Sequence, residues 1–103
     1  MSELKRQAVN RPPSHPGAIL REDVLPALNI SKAEFARSIN VSRQMLHDIL
    51  NESRPITSAM ALRLAKALSG SPNVWAGMQQ KFDLFYLSRE MADELEQIQA
   101  IEM

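Results

Sequence analysis

Helix N-cap residues stand at short intervals along the middle of the chain. Ser31, Ser42 and Thr57 each come directly before residues whose apolar members recur at steps of three and four, the period of a helix. A serine or threonine oxygen at such a position can accept a hydrogen bond from a free amide of the first turn, which favours a helix start. No segment alternates apolar and polar residues as a half-buried strand does. The sequence therefore predicts an all-α fold.

Five helices joined by short connections are expected along the chain. The first should run from Gly17 to about Leu25, and Pro26 should end or distort it because the proline ring clashes with the preceding turn. The three N-cap residues open the next three helices. Pro72 opens the fifth, where its missing N–H costs nothing. The fifth helix has apolar positions as far as Ile98, so it is expected to be long.

Residues 31–50 have the dimensions of a helix-turn-helix, in which two short helices meet at a steep angle across a tight turn. Ala36 supplies the small residue needed where the helices cross, and Asn40 tolerates the left-handed conformation of the turn. Three apolar side chains can attach the second helix to the body: Val41, Leu46 and Ile49. The second helix, from Ser42 to Leu50, would then be the recognition helix.

The outward face of this recognition helix is polar. Arg43 and Gln44 stand at its N-terminal end, the part that enters the major groove, where arginine can read guanine and glutamine adenine. Residues beside the helix could hold phosphates, although an ordinary solvated helix face would also be polar, and Asn51 also suits a helix C-terminus. The expected DNA-binding residues are Lys32, Ser42, Arg43, Gln44, His47, Asn51 and Arg54.

The net charge of zero conceals an uneven distribution of charge. Residues 1–81 carry eleven of the twelve Lys/Arg and six of the twelve Asp/Glu, a net +5, whereas residues 82–103 carry a net −5. A basic body can face phosphates while an acidic tail points away from them. The alternative is that the tail is simply a solvated acidic helix.

Composition and spacing argue against several other functions. The sequence has no cysteine, and its two histidines, His15 and His47, are too far apart for a metal motif. There is no nucleophile–base pair and no glycine-rich phosphate loop, so we expect no enzyme, cofactor or metal; His15 suits a helix start. No apolar run reaches the roughly 18 residues of a membrane span, and no signal peptide is recognisable. A cytoplasmic protein is expected.

The fifth helix carries an apolar stripe at three- and four-residue steps, with charged residues between. Such a stripe on a helix running past the core would be exposed in a monomer. We therefore expect a homodimer that reads a palindromic operator, unless the stripe packs back on its own body. The expected interface residues are Leu84, Leu87, Met91, Leu95 and Ile98. The aromatic residues are expected in the core or the dimer contact rather than in a ligand pocket: Trp75, Phe82, Phe85 and Tyr86.

Several sequence patches occur together in a specific order. They are His15-Pro16-Gly17, Phe35-Ala36-Arg37, Val41-Ser42-Arg43-Gln44, Arg54-Pro55-Ile56-Thr57, Met-Ala-Leu-Arg-Leu-Ala at residues 60–65, and Trp75. With this set the chain resembles the HigA-type antitoxins of the Xre helix-turn-helix class, sometimes named virulence-associated protein I. The resemblance covers about residues 15–87.

The resemblance implies a five-helix lambda-repressor-like domain with a long C-terminal helix. We expect a flexible N-terminal arm at residues 1–14, the helix-turn-helix domain at 15–87 and a C-terminal helical extension at 88–103. The resemblance also implies a HigB-type toxin partner, a RelE-like mRNA endonuclease, together with repression of the antitoxin's own operon. The arm, with Lys5, Arg6 and Arg11, is expected to contact the toxin together with parts of the body, although the same arm could instead reach a DNA minor groove.

Two other functions fit the sequence. One is a stand-alone helix-turn-helix repressor without a toxin, and the other is a helical protein-interaction module. The chain also departs from the family in two turns, with Asn40 where glycine is common and Asn51-Glu52 where Asn-Gly is common. Both departures are compatible with a turn, but Glu52 places a negative charge near any phosphate contact there.

Overall fold

Six helices make up the regular structure of residues 11–102, the part of the chain described by the computed structural model. They are α1, in three consecutive pieces (Pro16–Ile19, Leu20–Val24 and Leu25–Leu28), α2 (Lys32–Ser38), α3 (Arg43–Leu50), α4 (Ser58–Leu68), α5 (Pro72–Glu90) and α6 (Ala92–Glu96). The predicted all-α helix-turn-helix fold is confirmed. Most of the expected N-terminal arm, with Lys5 and Arg6, lies outside the described residues.

Helix α1 changes its winding in the middle. Its central piece, Leu20–Val24, is a π-helical turn in which the Leu25 N–H donates to the carbonyl of Leu20, five residues back. In a regular helix the ring of Pro26 would clash with the carbonyl four residues before it, and a widened turn removes that clash. Pro26 therefore distorts the helix without ending it, and α1 continues to Leu28.

The predicted N-caps open the helices that they were expected to open. Ser31 Oγ accepts a hydrogen bond from the Glu34 N–H at 3.1 Å, and Ser42 Oγ accepts from the Met45 N–H at 3.0 Å. Thr57 caps α4 in the same way, through a 3.2 Å bond from the Met60 N–H. Each bond satisfies an amide that the helix itself leaves unpaired, so local sequence determines where these helices begin.

One apolar core joins the first five helices. Its most deeply buried large side chains include Leu20 from α1, Phe35 from α2, Leu46 from α3 and Leu64 from α4. Trp75 of α5 is also buried, as expected for a core residue. Each such side chain contributes about 1.5–3 kcal/mol by leaving water, so these contacts fix α3 on the body of the protein.

The C-terminal part differs from a single continuous helix. Helix α5 ends at Glu90, Met91 leaves the helical conformation with φ −95° and ψ 9°, and the short α6 follows. Residues 98–102 have no regular structure. Among residues 11–102, no helix combines the length and apolarity needed to cross a bilayer.

Candidate nucleic-acid interface

The turn between α2 and α3 has two hydrogen bonds that reverse the chain at a helix end. The Val41 N–H donates to the Ala36 carbonyl at 3.0 Å, and the Asn40 N–H donates to the Arg37 carbonyl at 3.1 Å. This pair of bonds defines a Schellman motif, which requires a left-handed residue just after the helix. Asn40 has φ 57°, so it occupies the conformation predicted for it.

An arginine from another helix closes the same turn. Arg63 on α4 donates from Nη1 to the carbonyls of Ile39 and Asn40, at 3.2 Å each. These bonds satisfy acceptors at the end of α2 that the helix leaves free. Sequence reasoning did not single out Arg63 for this role, because the contact joins residues more than twenty positions apart.

The back of α3 packs very closely on α1. A Cβ atom on Gly17 would lie 1.9 Å from the carbonyl oxygen of Ile49, so only glycine fits at this contact. Leu46, Ile49 and Leu50 are buried on the same side of α3. Packing of this face leaves the opposite, polar face of α3 exposed.

The C-terminal end of α3 has a second Schellman motif. The Glu52 N–H donates to the Ile49 carbonyl at 3.0 Å, the Ser53 N–H donates to the Asp48 carbonyl at 2.9 Å, and Glu52 has φ 65°. Arg21 on α1 donates to the Leu50 carbonyl at 2.6 Å and to Glu52 Oε2 at 3.2 Å. The charge that Glu52 brings to this turn is therefore paired with Arg21.

Arg21 also bonds Glu22, through Nη2 at 3.2 Å. Its hydrogen bonds to Glu22 and then Glu52 raise the pKa of the guanidinium above its ordinary value. Arg21 is therefore a permanent cation at the end of α3. Its contact to α3 spans 29 residues, and the helical pattern around it held no sign of this role.

The exposed face of α3 carries three of the predicted DNA-binding side chains: Arg43, Gln44 and His47. Gln44 Nε2 donates to Asp48 Oδ1 at 2.9 Å, and Arg54 Nη2 lies 3.4 Å from Asp48 Oδ2. Arg43 has no hydrogen-bond or ion-pair partner within residues 11–102. One face thus presents a free guanidinium beside an oriented amide.

The remaining predicted residues lie at the borders of this face. Lys32 is the first residue of α2, is exposed, and has no ion-pair partner among the described residues. The Ser42 hydroxyl serves as the α3 N-cap. Asn51 ends α3, and its Nδ2 lies 2.9 Å from His47 Nε2, so these two side chains engage each other.

A helix-turn-helix family model matches residues 20–75, more than half of the chain. The chain belongs to the helix-turn-helix family. It is 38% identical over 73 residues to virulence-associated protein I of Dichelobacter nodosus, covering 71% of this chain and 68% of that protein. The family resemblance found in the sequence is confirmed.

Two solved structures of the helix-turn-helix family are similar to this one. The first is the Pseudomonas aeruginosa antitoxin HigA with the higBA promoter, with TM-score 0.81, 32% identity and coverage of 89% of this chain and 100% of that one. The second is antitoxin GraA in complex with its operator, with TM-score 0.81, 34% identity and coverage of 88% and 93%.

A buried glutamine connects this helix-turn-helix unit to α5. Gln79 Oε1 accepts from the Ile56 N–H at 2.8 Å, and its Nε2 donates to Asp83 Oδ1 at 3.0 Å. The first of these bonds satisfies the buried N–H of Ile56, which lies in the segment that follows α3. A polar residue within the apolar pattern of α5 was the available signal for this role.

His15 is the N-cap of α1, as the sequence indicated. Its Nδ1 accepts from the Gly17 N–H at 2.9 Å, and its ring packs edge-on against Phe82, with centroids 5.0 Å apart. Burial lowers the pKa of His15 below the ordinary 6.5, although the charges of Glu52 and Asp83 oppose that shift. The imidazole therefore favours its neutral, accepting form.

The predicted dimer stripe lies on the surface. Leu84 and Leu87 lie on α5, Met91 at the α5–α6 junction, Leu95 on α6 and Ile98 just after it. Their exposed fractions range from 36% for Met91 to 67% for Ile98, and none of the five belongs to the apolar core of this helix-turn-helix protein.

Proposed function

We propose that this chain is the DNA-binding antitoxin of a bacterial toxin–antitoxin pair. It binds operator DNA through α3, represses its own operon and neutralises a HigB-type, RelE-like mRNA endonuclease. The proposal rests on the exposed first turn of α3, where Arg43 has no partner among residues 11–102 and Gln44 is oriented by Asp48. Solved relatives in the same family include antitoxins bound to operator DNA. The class is one of DNA-binding regulators and not of enzymes.

Arg43 and Gln44 make the base contacts in this proposal. Arginine forms two hydrogen bonds to guanine and glutamine two to adenine in the major groove. Lys32 and Arg54 hold phosphates on either side, and Ser42, His47 and Asn51 contribute at the edge of the contact. Arg54 pairs with the Asp48 carboxylate in the free protein, and on DNA binding it would pair with a phosphate instead.

A homodimer is needed because one recognition helix presents too few side chains to select one site in a genome. Two-fold symmetry doubles the contacts and demands a palindromic operator with half-sites about one helical turn, or a multiple, apart. The interface we propose is the exposed stripe of Leu84, Leu87, Met91, Leu95 and Ile98. These side chains are apolar, are spaced three or four residues apart from α5 through α6, and are exposed in the single chain.

We also infer a toxin-contacting segment and a cellular compartment. We assign the toxin contact to the N-terminal arm, with Lys5, Arg6 and Arg11, together with parts of the body, DNA binding to α3 and its borders, and dimerisation to the C-terminal stripe. The arm (1–14), the domain (15–87) and the extension (88–103) then have separate tasks. Operator and toxin both lie in the cytoplasm, where the antitoxin acts.

The DNA assignment is tested with Arg43→Ala and Lys32→Ala on duplexes selected from a randomised library. Arg43→Ala should cost about 1–3 kcal/mol and relax the preference at one base position. Lys32→Ala should weaken binding to all sequences and reduce the salt slope by about one. Lys81→Ala, on α5, is the control with the same charge change. If Arg43→Ala binds as tightly as the parent with the same base preference, the assignment is wrong.

Dimerisation and toxin binding need separate measurements. Sedimentation equilibrium should show a dimer for the parent and a monomer for Leu87→Glu/Met91→Glu; a monomeric parent, or a mutant that remains dimeric, contradicts the interface.

Co-purification with the product of the adjacent gene tests whether the chain binds a toxin. Operator binding without that association makes the chain a stand-alone repressor. Deletion of residues 1–13 should abolish toxin binding and leave DNA affinity intact.

A further inference from the structure

Asp48 connects the exposed face of α3 to the segment that follows it. Its carboxylate accepts from Gln44 at 2.9 Å through Oδ1 and faces Arg54 at 3.4 Å through Oδ2. Its backbone carbonyl accepts from both the N–H and the hydroxyl of Ser53, at 2.9 and 3.1 Å. The side chain is only 25% exposed, so these partners surround a carboxylate that is partly withdrawn from solvent.

The bond to Gln44 fixes which edge of the amide faces outward. A glutamine amide has two N–H protons and one carbonyl oxygen. One proton is committed to Asp48, and a rotation of the amide by half a turn would place its oxygen against the carboxylate. The other N–H and the oxygen together form the edge that adenine requires. Gln44 therefore has a defined orientation before DNA arrives.

The charge of Asp48 acts on every duplex regardless of sequence. A carboxylate next to the reading face repels phosphates, and it also pairs with Arg54, one of the two cations assigned to phosphate contacts. On a duplex without the base that Gln44 reads, this repulsion lowers the affinity. On a duplex with that base, the hydrogen bonds from Gln44 offset the repulsion. Specificity commonly arises from such a repulsive element combined with an attractive one.

We propose that Asp48 is a positioning residue that determines specificity, since it orients Gln44 toward one base and lowers affinity for unrelated DNA. The proposal rests on the proposed DNA-binding function. It predicts that one substitution lowers discrimination at the base pair read by Gln44 and raises affinity for unrelated DNA, a combination that a purely structural role of Asp48 would not produce.

The test uses the full chain and duplexes selected by the parent protein from a randomised library. Affinity is measured for the selected duplex, for its single-base variants and for an unrelated duplex. The variants are Gln44→Ala, Asp48→Ala, Asp48→Asn and the double substitution Gln44→Ala/Asp48→Ala. Asp23→Ala, on α1, is the matched control because it removes one negative charge from an exposed side chain that lies outside α3 and outside the proposed dimer stripe. Circular dichroism gives the folded fraction of each variant.

Gln44→Ala should lose about five- to one-hundredfold discrimination at one base pair. Asp48→Ala should lose about two- to tenfold at the same base pair, the range expected for one orienting hydrogen bond, and should bind the unrelated duplex more tightly than the parent. The double variant should discriminate no worse than Gln44→Ala alone. Asp48→Asn should keep the discrimination, since its amide oxygen can accept from Gln44, and should still bind unrelated DNA more tightly.

Three results would overturn the proposal. One is unchanged discrimination at the Gln44 position in Asp48→Ala. Another is a parallel fall in affinity for all duplexes that follows the folded fraction. A third is additive losses in the double variant, which would separate the two side chains. If the parent enriches no sequence from the library, the proposed function fails as well, and that outcome is distinct from the other three.

Discussion

The two turns that border α3 have the same backbone motif and are built from different residues. Both contain a pair of Schellman hydrogen bonds around a non-glycine residue in the left-handed region, Asn40 before α3 and Glu52 after it. Both are reached by an arginine from another helix, Arg63 in the first turn and Arg21 in the second. The recognition helix is therefore held at each end by a turn and a long-range cation.

The two turns differ in where their stability comes from. Asparagine tolerates the left-handed conformation because its short polar side chain can bond locally, whereas glutamate has no such advantage. Within the described part of the chain, Arg63 donates hydrogen bonds only to carbonyls, whereas Arg21 also pairs with the side chain of Glu52. The left-handed residue of the first turn is thus favoured by its own side chain, whereas that of the second turn is offset by an ion pair from another part of the chain; a long-range arginine closes both turns.

The largest expected effect comes from Gly17→Ala, at the contact between α1 and the C-terminal end of α3, next to the second turn. The added Cβ would lie 1.9 Å from the Ile49 carbonyl, the same oxygen that accepts from Glu52. Because the obstacle is backbone, we expect a loss of about 3 kcal/mol in the free energy of unfolding, measured by urea titration. Gly77→Ala, with open space around it, should instead stabilise the protein by about 1 kcal/mol. A Gly17→Ala variant as stable as the parent would contradict the close α1–α3 contact.

Arg63→Met should destabilise the first turn by about 1–2 kcal/mol. It keeps the apolar stem and removes the hydrogen bonds to the Ile39 and Asn40 carbonyls, each worth about 1 kcal/mol. Arg37→Met is the matched control, since Arg37 is exposed and its side chain makes no hydrogen bond within residues 11–102. Equal urea midpoints for the two variants would mean that the Arg63 hydrogen bonds contribute nothing to the stability of the protein.

Glu52→Gly should stabilise the second turn, by about 0.5–1 kcal/mol. It removes a left-handed penalty of about 1–2 kcal/mol and loses an exposed ion pair worth about 0.2–1 kcal/mol. Glu52→Ala keeps the penalty and loses the pair, so thermal melts should rank it below the parent. Asn40→Gly should change little, since asparagine already suits its turn. If glycine stabilised both turns equally, the proposed difference between Asn40 and Glu52 would be wrong.

A pH dependence is expected through His15, whose charge interacts with Glu52 in the second turn. Because burial lowers the pKa of His15 in the folded protein, the unfolded chain binds the proton more readily. The contribution of His15 to the free energy of unfolding should be fully present above the ordinary pKa of 6.5. It should be lost as the pH falls below that value, by at most about 1.4 kcal/mol per pH unit. His15→Asn can keep the cap without titrating. Parallel pH curves of unfolding free energy for the parent and His15→Asn would refute this prediction.

The sequence by itself determined the features that depend on neighbouring residues. Ser31, Ser42 and Thr57 cap helices because a side-chain oxygen reaches an amide three positions away. Asn40 indicates the turn because asparagine itself tolerates the left-handed conformation, whatever its neighbours are. The apolar period of α3 identified its buried face, and therefore which face is exposed, and the order of the patches identified the family.

Only the tertiary structure decided how the recognition helix is held and what its polar face engages. Arg21 meets the Leu50 carbonyl across 29 residues, Arg63 meets the turn across 24, and Gly17 meets the backbone of Ile49. Periodicity and capping rules describe neighbours within about one turn, so they carry no information on such pairs. Asp48 is one turn from Gln44, yet its pairing with Arg54 depends on the path of the chain after α3. Exposed charged side chains have many possible partners, and the folded backbone selects among them.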